Sequence, residues 1–326
     1  MSRAADVIDG ALEVAVAPSF TRIGPAVRSR LDHWRPVDSY DLAGRVVVIT
    51  GATSGLGMAA ATTLAADGAT IVLLARNTAK AEGVRDDILR HGAPGGGDVV
   101  TGEMGDLESV RAAATTIAAT HERIDVLVHN AGALDATYGT SAQGIEQTVA
   151  SQVVGPFLLT TLLLGRLRAS APSRVLWVSS GGMYSQPLAV DQLEMSPSDY
   201  NGTTAYARAK RAQVTLVEIW ADRLRDDGVV MHSMHPGWAD TPGVQKSLPT
   251  FRRIVGPLLR SPAEGADTLV WLSADDGAPL ARTGRFWLDR RPRSIHKTKA
   301  SREADTVAER RRLWDWCVER SGVEPD

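Results

Sequence analysis

Apolar residues along this chain form short continuous runs that alternate with longer segments of helical spacing. The first run, Arg45 to Thr50, reads Arg-Val-Val-Val-Ile-Thr, which is typical of a strand buried on both faces of a parallel sheet. Six further runs are predicted as strands, at residues 70–74, 99–103, 124–128, 174–179, 229–233 and 286–288. Since predicted helices separate most of these runs, the pattern predicts one doubly wound α/β domain with a seven-stranded parallel sheet over residues 41–290.

The two ends of the chain lie outside this alternation and are predicted as helical extensions, residues 1–40 and 291–326. In the first, apolar and basic positions form an amphipathic helix: Ile23, Val27, Leu31 and Trp34 on one face, with Arg22, Arg28, Arg30 and Arg35. Such a helix packs on protein or lies on an anionic membrane through residues 20–36, and we favour packing. In the second, Trp314 and Trp316 are expected to dock a charged helix on the body.

Composition narrows the class of protein. Hydrophobic residues make up 44%, charged residues 23%, and the net charge is −2, so we expect no nucleic acid partner. Cys317 is the only cysteine, which excludes an intrachain disulfide and a cysteine-rich metal site, and we expect no metal. The N-terminus carries Asp6, Asp9 and Glu13, and no run approaches about 18 apolar residues. We therefore expect a cytoplasmic protein, with peripheral membrane contact left open.

A glycine-rich turn follows the first strand, Gly51-Ala52-Thr53-Ser54-Gly55-Leu56-Gly57, and an alanine-rich helix follows the turn at residues 58–67. Glycine lets the backbone turn tightly and approach a pyrophosphate, and the helix N-terminus supplies N–H groups and a positive dipole end. Strand, turn and helix together predict a dinucleotide site in a Rossmann-type domain.

The second strand ends in Ala75-Arg76-Asn77. A site for NAD would place an acidic residue there to bind the ribose 2′-OH, whereas a cation favours the 2′-phosphate of NADP. Arg76 therefore indicates NADP(H) over NAD(H), and an exposed loop arginine is the alternative.

Other strand ends carry polar or small residues, as ligand sites of open α/β sheets do. The fourth ends in Asn130-Ala131-Gly132, the fifth in Ser179-Ser180, and the sixth opens into a turn from His235 to Pro242. For Asn130 alone an ordinary turn is an adequate reading. Between the two serines we favour Ser180 as the one that contacts a ligand, because Ser179 closes the strand.

Tyr206 and Lys210 lie four residues apart within a predicted helix, so their side chains share one face. An ammonium near a phenol lowers the pKa of the phenol and makes it a usable proton donor and acceptor. The alternative is a solvated pair that has this spacing by chance.

Together these motifs resemble those of the short-chain dehydrogenase/reductase family over about Leu42 to Asp289, near the subgroup called dehydrogenase/reductase family member twelve and the retinol dehydrogenases. The resemblance implies Tyr206 as acid/base, Ser180 as the group holding the substrate oxygen, and Lys210 on the nicotinamide ribose. It also implies a set of cofactor contacts: Gly51, Thr53, Ser54, Gly55, Leu56, Gly57, Arg76, Asn77, Asp106, Leu107, Asn130, Ala131, Gly132, Tyr206, Lys210, Pro236, Gly237 and Thr241. Pairing of helices across a two-fold, common in the family, implies a dimer or tetramer that the extensions could block.

The chain departs from the family at Gln152, where an asparagine usually anchors a proton-relay water. Glutamine makes the same hydrogen bonds from one methylene farther out, so we count Gln152 with the catalytic residues. Residues 243–260 are expected to form a loop that acts as a lid, whose apolar residues indicate an apolar substrate.

These observations support two alternative functions. The first is an NADP(H)-dependent oxidoreductase interconverting a carbonyl and an alcohol on an apolar small molecule that resembles a lipid, steroid or retinoid. The second is a catalytically weak NADP-binding regulatory or scaffold protein, suggested by Gln152 and the N-terminal helix. Retention of both Tyr206 and Lys210 favours the enzyme.

Overall fold

The computed structural model describes residues 3–92 and 94–326, so Met1 and Ser2 of the predicted extension lie outside the described residues. Within that part of the chain one sheet has eight strands: β1 (Val46–Thr50), β2 (Thr70–Ala75), β3 (Gly97–Thr101), β4 (Val126–His129), β5 (Ser173–Val178), β6 (Val229–Met234), β7 (Arg285–Leu288) and β8 (Arg291–Arg293). Their order is β3-β2-β1-β4-β5-β6-β7-β8, and the first seven are parallel.

The predicted doubly wound α/β fold with seven parallel strands is confirmed, with two corrections. The tail, expected to be helical, begins with β8, which pairs antiparallel with β7. The third strand begins at Gly97 rather than Val99. It is an edge strand with a half-exposed first residue and an exposed second, so no apolar run marks its start.

Helices connect the strands: α1 (Arg3–Ala15), α2 (Ala17–Phe20), α3 (Ile23–Leu31), α4 (Gly55–Ala66), α5 (Thr78–Arg90), α6 (Leu107–Thr120), α7 (Gln147–Val149), α8 (Gly155–Ala169), α9 (Gly202–Arg223), α10 (Pro242–Ser247), α11 (Pro249–Val255), α12 (Pro262–Ala274), α13 (Lys299–Ala304) and α14 (Val307–Ser321). A π-helical turn, Ala150–Val154, joins α7 to α8. The predicted loop at 243–260 is wrong in part, because α10 and α11 occupy most of it.

Alternate residues of β1 explain the two cores. Val46 and Val48 pack with α6, α8, α9 and α14 on one face of the sheet, whereas Val47 and Ile49 pack with α4, α5 and α12 on the other. Because side chains alternate along a strand, a run apolar at every position is buried by helices on both faces. This arrangement leaves the carboxyl ends of the strands as the open edge.

The N-terminal helices pack on the sheet domain, but not mainly through the predicted apolar stripe. The buried residues of α3 are Gly24, Pro25 and Arg28, while Ile23 is 40% exposed. Arg28 is fully buried and pairs with Asp289, which directly follows β7, at 2.6 Å. The stripe prediction was wrong in part: Val27, Leu31 and Trp34 are half-buried, whereas the fully buried side of α3 carries an ion pair, which hydrophobic periodicity does not detect.

The C-terminal tail docks as expected. Trp314 of α14 is buried, with its ring centroid 5.1 Å from that of Phe157 and 4.8 Å from that of Trp220. Trp316 packs partly buried beside the same core.

The helical stretch Gln147–Ala169 is, by length and composition, apolar enough to cross a membrane, contrary to the expectation that no such run exists. Its most apolar window is 78% buried inside the protein, where it forms the centre of one core.

Candidate active site

A cleft of about 850 Å³ opens at the carboxyl ends of the parallel strands. Residues that directly follow β1, β2, β4, β5 and β6 line it, because parallel strands end at one edge of a sheet. Most of the predicted site residues are brought together there: Gly51, Thr53, Ser54, Gly55, Leu56, Arg76, Asn130, Ala131, Gly132, Ser180, Tyr206, Lys210, Pro236, Gly237 and Thr241.

Five predicted residues lie outside the cleft lining: Gly57, Asn77, Asp106, Leu107 and Gln152. The Asn77 side chain accepts a 2.9 Å hydrogen bond from a backbone N–H in the first turn of α5. The Asp106 carboxylate caps α6 and accepts a 3.0 Å bond from Gln143 Nε2. A polar residue between a strand and a helix can cap the helix or bind a ligand, and the sequence looks the same in both cases. Cofactor contact by Asn77, Asp106 and Leu107 therefore stays a prediction.

The glycine-rich turn needs its glycines. Gly51 and Gly55 have φ of +68° and +56°, a region that side chains disfavour. A Cβ added to Gly51 would lie 2.8 Å from the Ala131 Cα, and one added to Gly57 only 2.4 Å from Asn130 Nδ2. The turn therefore packs closely against the end of β4.

Helix α4 begins inside this turn, at Gly55 rather than at the predicted Met58. The prediction started the helix too late because glycines are more typical of loops than of helices. Ser54, which precedes the helix, is exposed and has an extended backbone conformation. Its side chain makes no cap hydrogen bond. The first N–H groups of α4 therefore lack the side-chain cap that α5, α6 and α9 possess. An uncapped helix N-terminus facing a cleft suits a phosphate, so the residues present fit the pyrophosphate of a dinucleotide.

Asn130 fixes this turn to β4. Its Nδ2 donates hydrogen bonds of 3.0 Å to the Thr50 backbone oxygen and 3.1 Å to the Gly51 oxygen. The Thr50 Oγ1 in turn accepts from the backbone N–H groups of Asn130 and Ala131, each at 3.0 Å. Asn130 thus lines the cleft and also shapes the glycine turn.

Arg76 extends from the end of β2 with 80% of its side chain exposed. Its Nη1 lies 3.5 Å from Glu103 Oε2, a weak pairing at the rim of the same cleft. The guanidinium is therefore available to an anionic group, with Glu103 as its competitor.

Tyr206 and Lys210 share one face of α9, and Lys210 Nζ lies 5.2 Å from the centre of the Tyr206 ring. The expected lowering of the phenol pKa is not found: burial raises the pKa of Tyr206, and hydrogen bonding by Ser180 opposes that rise. Burial also lowers the pKa of Lys210 to about 7, so the lysine is only partly charged near neutral pH. The phenol is consequently protonated at neutral pH.

The two serines after β5 differ in their partners. Ser179 is buried, and its hydroxyl donates a 3.0 Å hydrogen bond to the Lys210 backbone oxygen. Ser180 accepts a 3.1 Å bond from the Gly182 N–H, which leaves its own proton free to donate. A Cβ added to Gly182 would lie 3.5 Å from Ser180 Oγ and 4.0 Å from Tyr206 Cε1, so both side chains flank Gly182, and Ser180 hydrogen-bonds to the Tyr206 phenol.

Gln152 sits on the π-helical turn, directly behind the cleft. Its Nε2 donates a 2.6 Å hydrogen bond to the Ala133 backbone oxygen, and its Oε1 is buried without a partner in the described chain. A Cβ added to Gly132 would lie 3.0 Å from this Oε1 and 3.4 Å from Lys210 Nζ. The unpartnered oxygen and the lysine ammonium therefore both flank Gly132 at the cleft, and π turns of this kind are frequent at functional sites.

The apolar residues in and just before the predicted lid differ in exposure, and Leu259 is buried. Trp238, Leu248 and Phe251 line the cleft, whereas Ile254 and Leu258 are 76% and 45% exposed. The Trp238 and Phe251 ring centroids are 5.1 Å apart. One side of the cleft is thus apolar and aromatic.

Sequence reasoning missed part of the cleft lining: Ala133, Leu134, Asp135, Thr137, Tyr138 and Gly139, along with Glu103, Gln147 and His235. Ser247 on α10 donates a 2.9 Å hydrogen bond across the cleft to the Leu134 backbone oxygen. The unusually long connection between β4 and α7 was the available signal, because long loops in compact domains are commonly functional.

The fold, the glycine turn and the cluster of Ser180, Tyr206 and Lys210 define a class: oxidoreductases that use a nicotinamide dinucleotide. The sequence model of the family described as short chain dehydrogenase matches residues 45–250. Human dehydrogenase/reductase SDR family member 12 is 36% identical over 268 residues, covering 82% of this chain and 84% of that protein. Human retinol dehydrogenase 11 is 30% identical over 308 residues, covering 93% of each.

Solved structures agree with these relatives. A crystal structure of an uncharacterised protein from Mycobacterium paratuberculosis covers 90% of this chain and 99% of its own, with 25% identity and a TM-score of 0.71. One from Escherichia coli, described as a short chain dehydrogenase complexed with NADPH, covers 79% of this chain and 100% of its own, with 25% identity and a TM-score of 0.63. The chain belongs to the short-chain dehydrogenase/reductase family, as its motifs predict, and it is an oxidoreductase of the kind that interconverts carbonyls and alcohols.

Proposed function

We propose that this protein is an NADP(H)-dependent oxidoreductase acting on the carbonyl or alcohol of an apolar small molecule. The observation that carries the proposal is that Ser180 hydrogen-bonds to the Tyr206 phenol within one cleft that Lys210 and the glycine turn also line. The bound cofactor supplies or accepts hydride at the substrate carbon.

The side chains then manage the substrate oxygen and its proton. In reduction, Ser180 donates a hydrogen bond that orients and polarises the carbonyl, and Tyr206 transfers its proton to the oxygen as hydride reaches the carbon. In oxidation, the phenol oxygen accepts the alcohol proton. Since burial raises the pKa of Tyr206, the phenol holds its proton near neutral pH, which is the form that reduction requires.

Two finer parts of the proposal have separate support. The exposed Arg76 at the end of β2 supports NADP(H). The pair of Trp238 and Phe251 supports an apolar substrate of the lipid, steroid or retinoid kind, and a relative described as retinol dehydrogenase 11 is in keeping with it. A cytoplasmic location, a homo-oligomer and a membrane contact through residues 20–36 stay predictions, the last weakened by the burial of Arg28.

The test is to screen carbonyl and alcohol libraries with NADPH and NADP, and then to compare the native chain with Tyr206→Phe on the best substrate. We expect the variant to lose about 10²- to 10⁴-fold in kcat while binding NADPH as before. Full turnover by the variant would refute the acid/base role. NADPH binding without turnover across the whole panel would support the regulatory or scaffold alternative suggested by Gln152.

A further inference from the structure

The turn that follows β6, residues 235–241, is held from behind by the N-terminal segment 17–28, called here the strap. The Trp238 N–H donates a 2.7 Å hydrogen bond to the Phe20 backbone oxygen. The Arg22 N–H donates a 3.0 Å bond to the backbone oxygen of Leu258, near the end of the lid. A segment outside the sheet domain of the sequence prediction thus pairs with the backbone on both sides of the lid.

Arg260 connects the strap to the turn. The side chain is 1% exposed, and its guanidinium donates to the backbone oxygens of residues 19, 20 and 21 at 2.8, 3.1 and 3.2 Å. It also donates to the Pro236 oxygen at 3.2 Å. Gly237 has a φ of +74°, and a Cβ there would lie 2.2 Å from Arg260 Nε, so the guanidinium rests on the backbone of the turn.

Asp289 completes the link. Its two oxygens accept from Arg260 at 2.6 and 3.0 Å, and one of them accepts from Arg28 at 2.6 Å. Arg28 also donates a 2.7 Å bond to Asp9 of α1. These charges are all buried, and such networks hold their geometry because each group loses its partners if the arrangement shifts.

An aromatic contact parallels the polar one. The Phe20 ring meets the His235 ring edge to face with centroids 4.4 Å apart, and it lies 5.7 Å from the Trp238 ring. His235 and Trp238 line the cleft, whereas Phe20 stands behind them. The back of the apolar wall is therefore made by the strap.

We propose that the strap is a positioning element of the active site: Phe20 and Arg260 hold the β6 turn so that Pro236, Gly237 and Trp238 keep their places in the cleft. This inference rests on the proposed function for its kinetic consequence, although its structural part does not. Neither residue lines the cleft, and both act through the turn. The competing explanation is that the strap only adds stability.

The first test measures the turn without any turnover. Amide hydrogen exchange of the peptide containing residues 236–241 is compared among the native chain, Phe20→Leu and Arg260→Lys, with Val14→Ala as matched control in the same extension, since Val14 is 86% exposed. We expect exchange in this peptide to rise about tenfold in Phe20→Leu and in Arg260→Lys but not in Val14→Ala, and exchange across β1 to β5 to stay unchanged in all three variants. Unchanged exchange at the turn in folded variants would overturn the proposal.

The second test separates positioning from stability. Assayed well below the melting temperature of each variant, Phe20→Leu is expected to raise KM for an apolar carbonyl about five- to tenfold while changing kcat less than twofold. Arg260→Lys keeps the charge opposite Asp289 but loses most of the backbone contacts, and is expected to weaken NADPH binding as well. Lower melting temperatures with native KM, kcat and NADPH affinity would mean a stabilising role only. If no substrate is found, the exchange result still decides whether the strap holds the turn.

Discussion

Lys210 Nζ donates a 2.9 Å hydrogen bond to the backbone oxygen of Val178, the last residue of β5. The lysine is therefore held against the sheet end, beside the cleft, by a neutral partner rather than by a carboxylate. Burial without a counter-charge is what lowers the pKa of Lys210 to about 7. Protonation of the Lys210 amine is therefore less favourable in the folded protein than in the unfolded chain.

This cost predicts a pH dependence of stability. Between about pH 7 and the ordinary pKa of lysine, the unfolded chain binds more protons at this site than the folded chain, so the free energy of unfolding rises with pH, by at most about 1.4 kcal/mol per unit. Lys210→Met lacks this titrating group, so its free energy of unfolding is expected to rise less between pH 7 and 9 than that of the native chain. Urea unfolding of both proteins at pH 7, 8 and 9 measures the difference, and parallel curves would contradict the assigned pKa shift.

The serine pair gives a prediction with an internal control. Ser180→Ala removes the hydroxyl proposed to hold the substrate oxygen, and kcat/KM is expected to fall about 10²-fold, with up to about 1 kcal/mol of stability lost along with the bond from the Gly182 N–H. Ser179→Ala removes the bond to the Lys210 backbone oxygen, and is expected to cost about 1 kcal/mol of stability while kcat/KM changes less than threefold. The reverse pattern would make Ser179 the substrate residue.

The sequence predicted the sheet and most of the cleft because both depend on local signals. Buried parallel strands are apolar at every position, and residues at their carboxyl ends share one edge wherever the chain runs next. The orientation of α3 could not be predicted in that way, because it depends on Arg28 meeting Asp289, 261 positions away. The sign of the Tyr206 pKa shift was also missed, since helical spacing reports that two groups are near and not how deeply they are buried.

Cofactor preference is expected to follow from Arg76 and its neighbour. Arg76→Ala should weaken NADPH binding about tenfold or more and leave NADH binding within about twofold, because only NADPH carries the 2′-phosphate. Glu103→Gln removes the carboxylate 3.5 Å from the guanidinium and should strengthen NADPH binding about two- to fivefold. Titration of both dinucleotides against the three proteins provides the comparison. Equal losses for NADH and NADPH in Arg76→Ala would show that the arginine does not contact the 2′-phosphate.

Gln152 is expected to support turnover through its unpartnered Oε1, which flanks Gly132 together with Lys210 Nζ, from where a water can return the proton lost by Tyr206. Gln152→Leu keeps the volume but removes both this acceptor and the donor to Ala133, so kcat should fall about 10- to 100-fold while NADPH affinity stays within about twofold. Gln152→Asn keeps the amide but shortens the side chain by one methylene, so its kcat should fall less than that of Gln152→Leu. Steady-state rates from pH 6 to 9 test this, because a relay residue changes the pH profile, whereas a packing residue lowers the rate equally at every pH. A leucine variant with native kcat would mean that the chain reprotonates Tyr206 by a route that avoids Gln152.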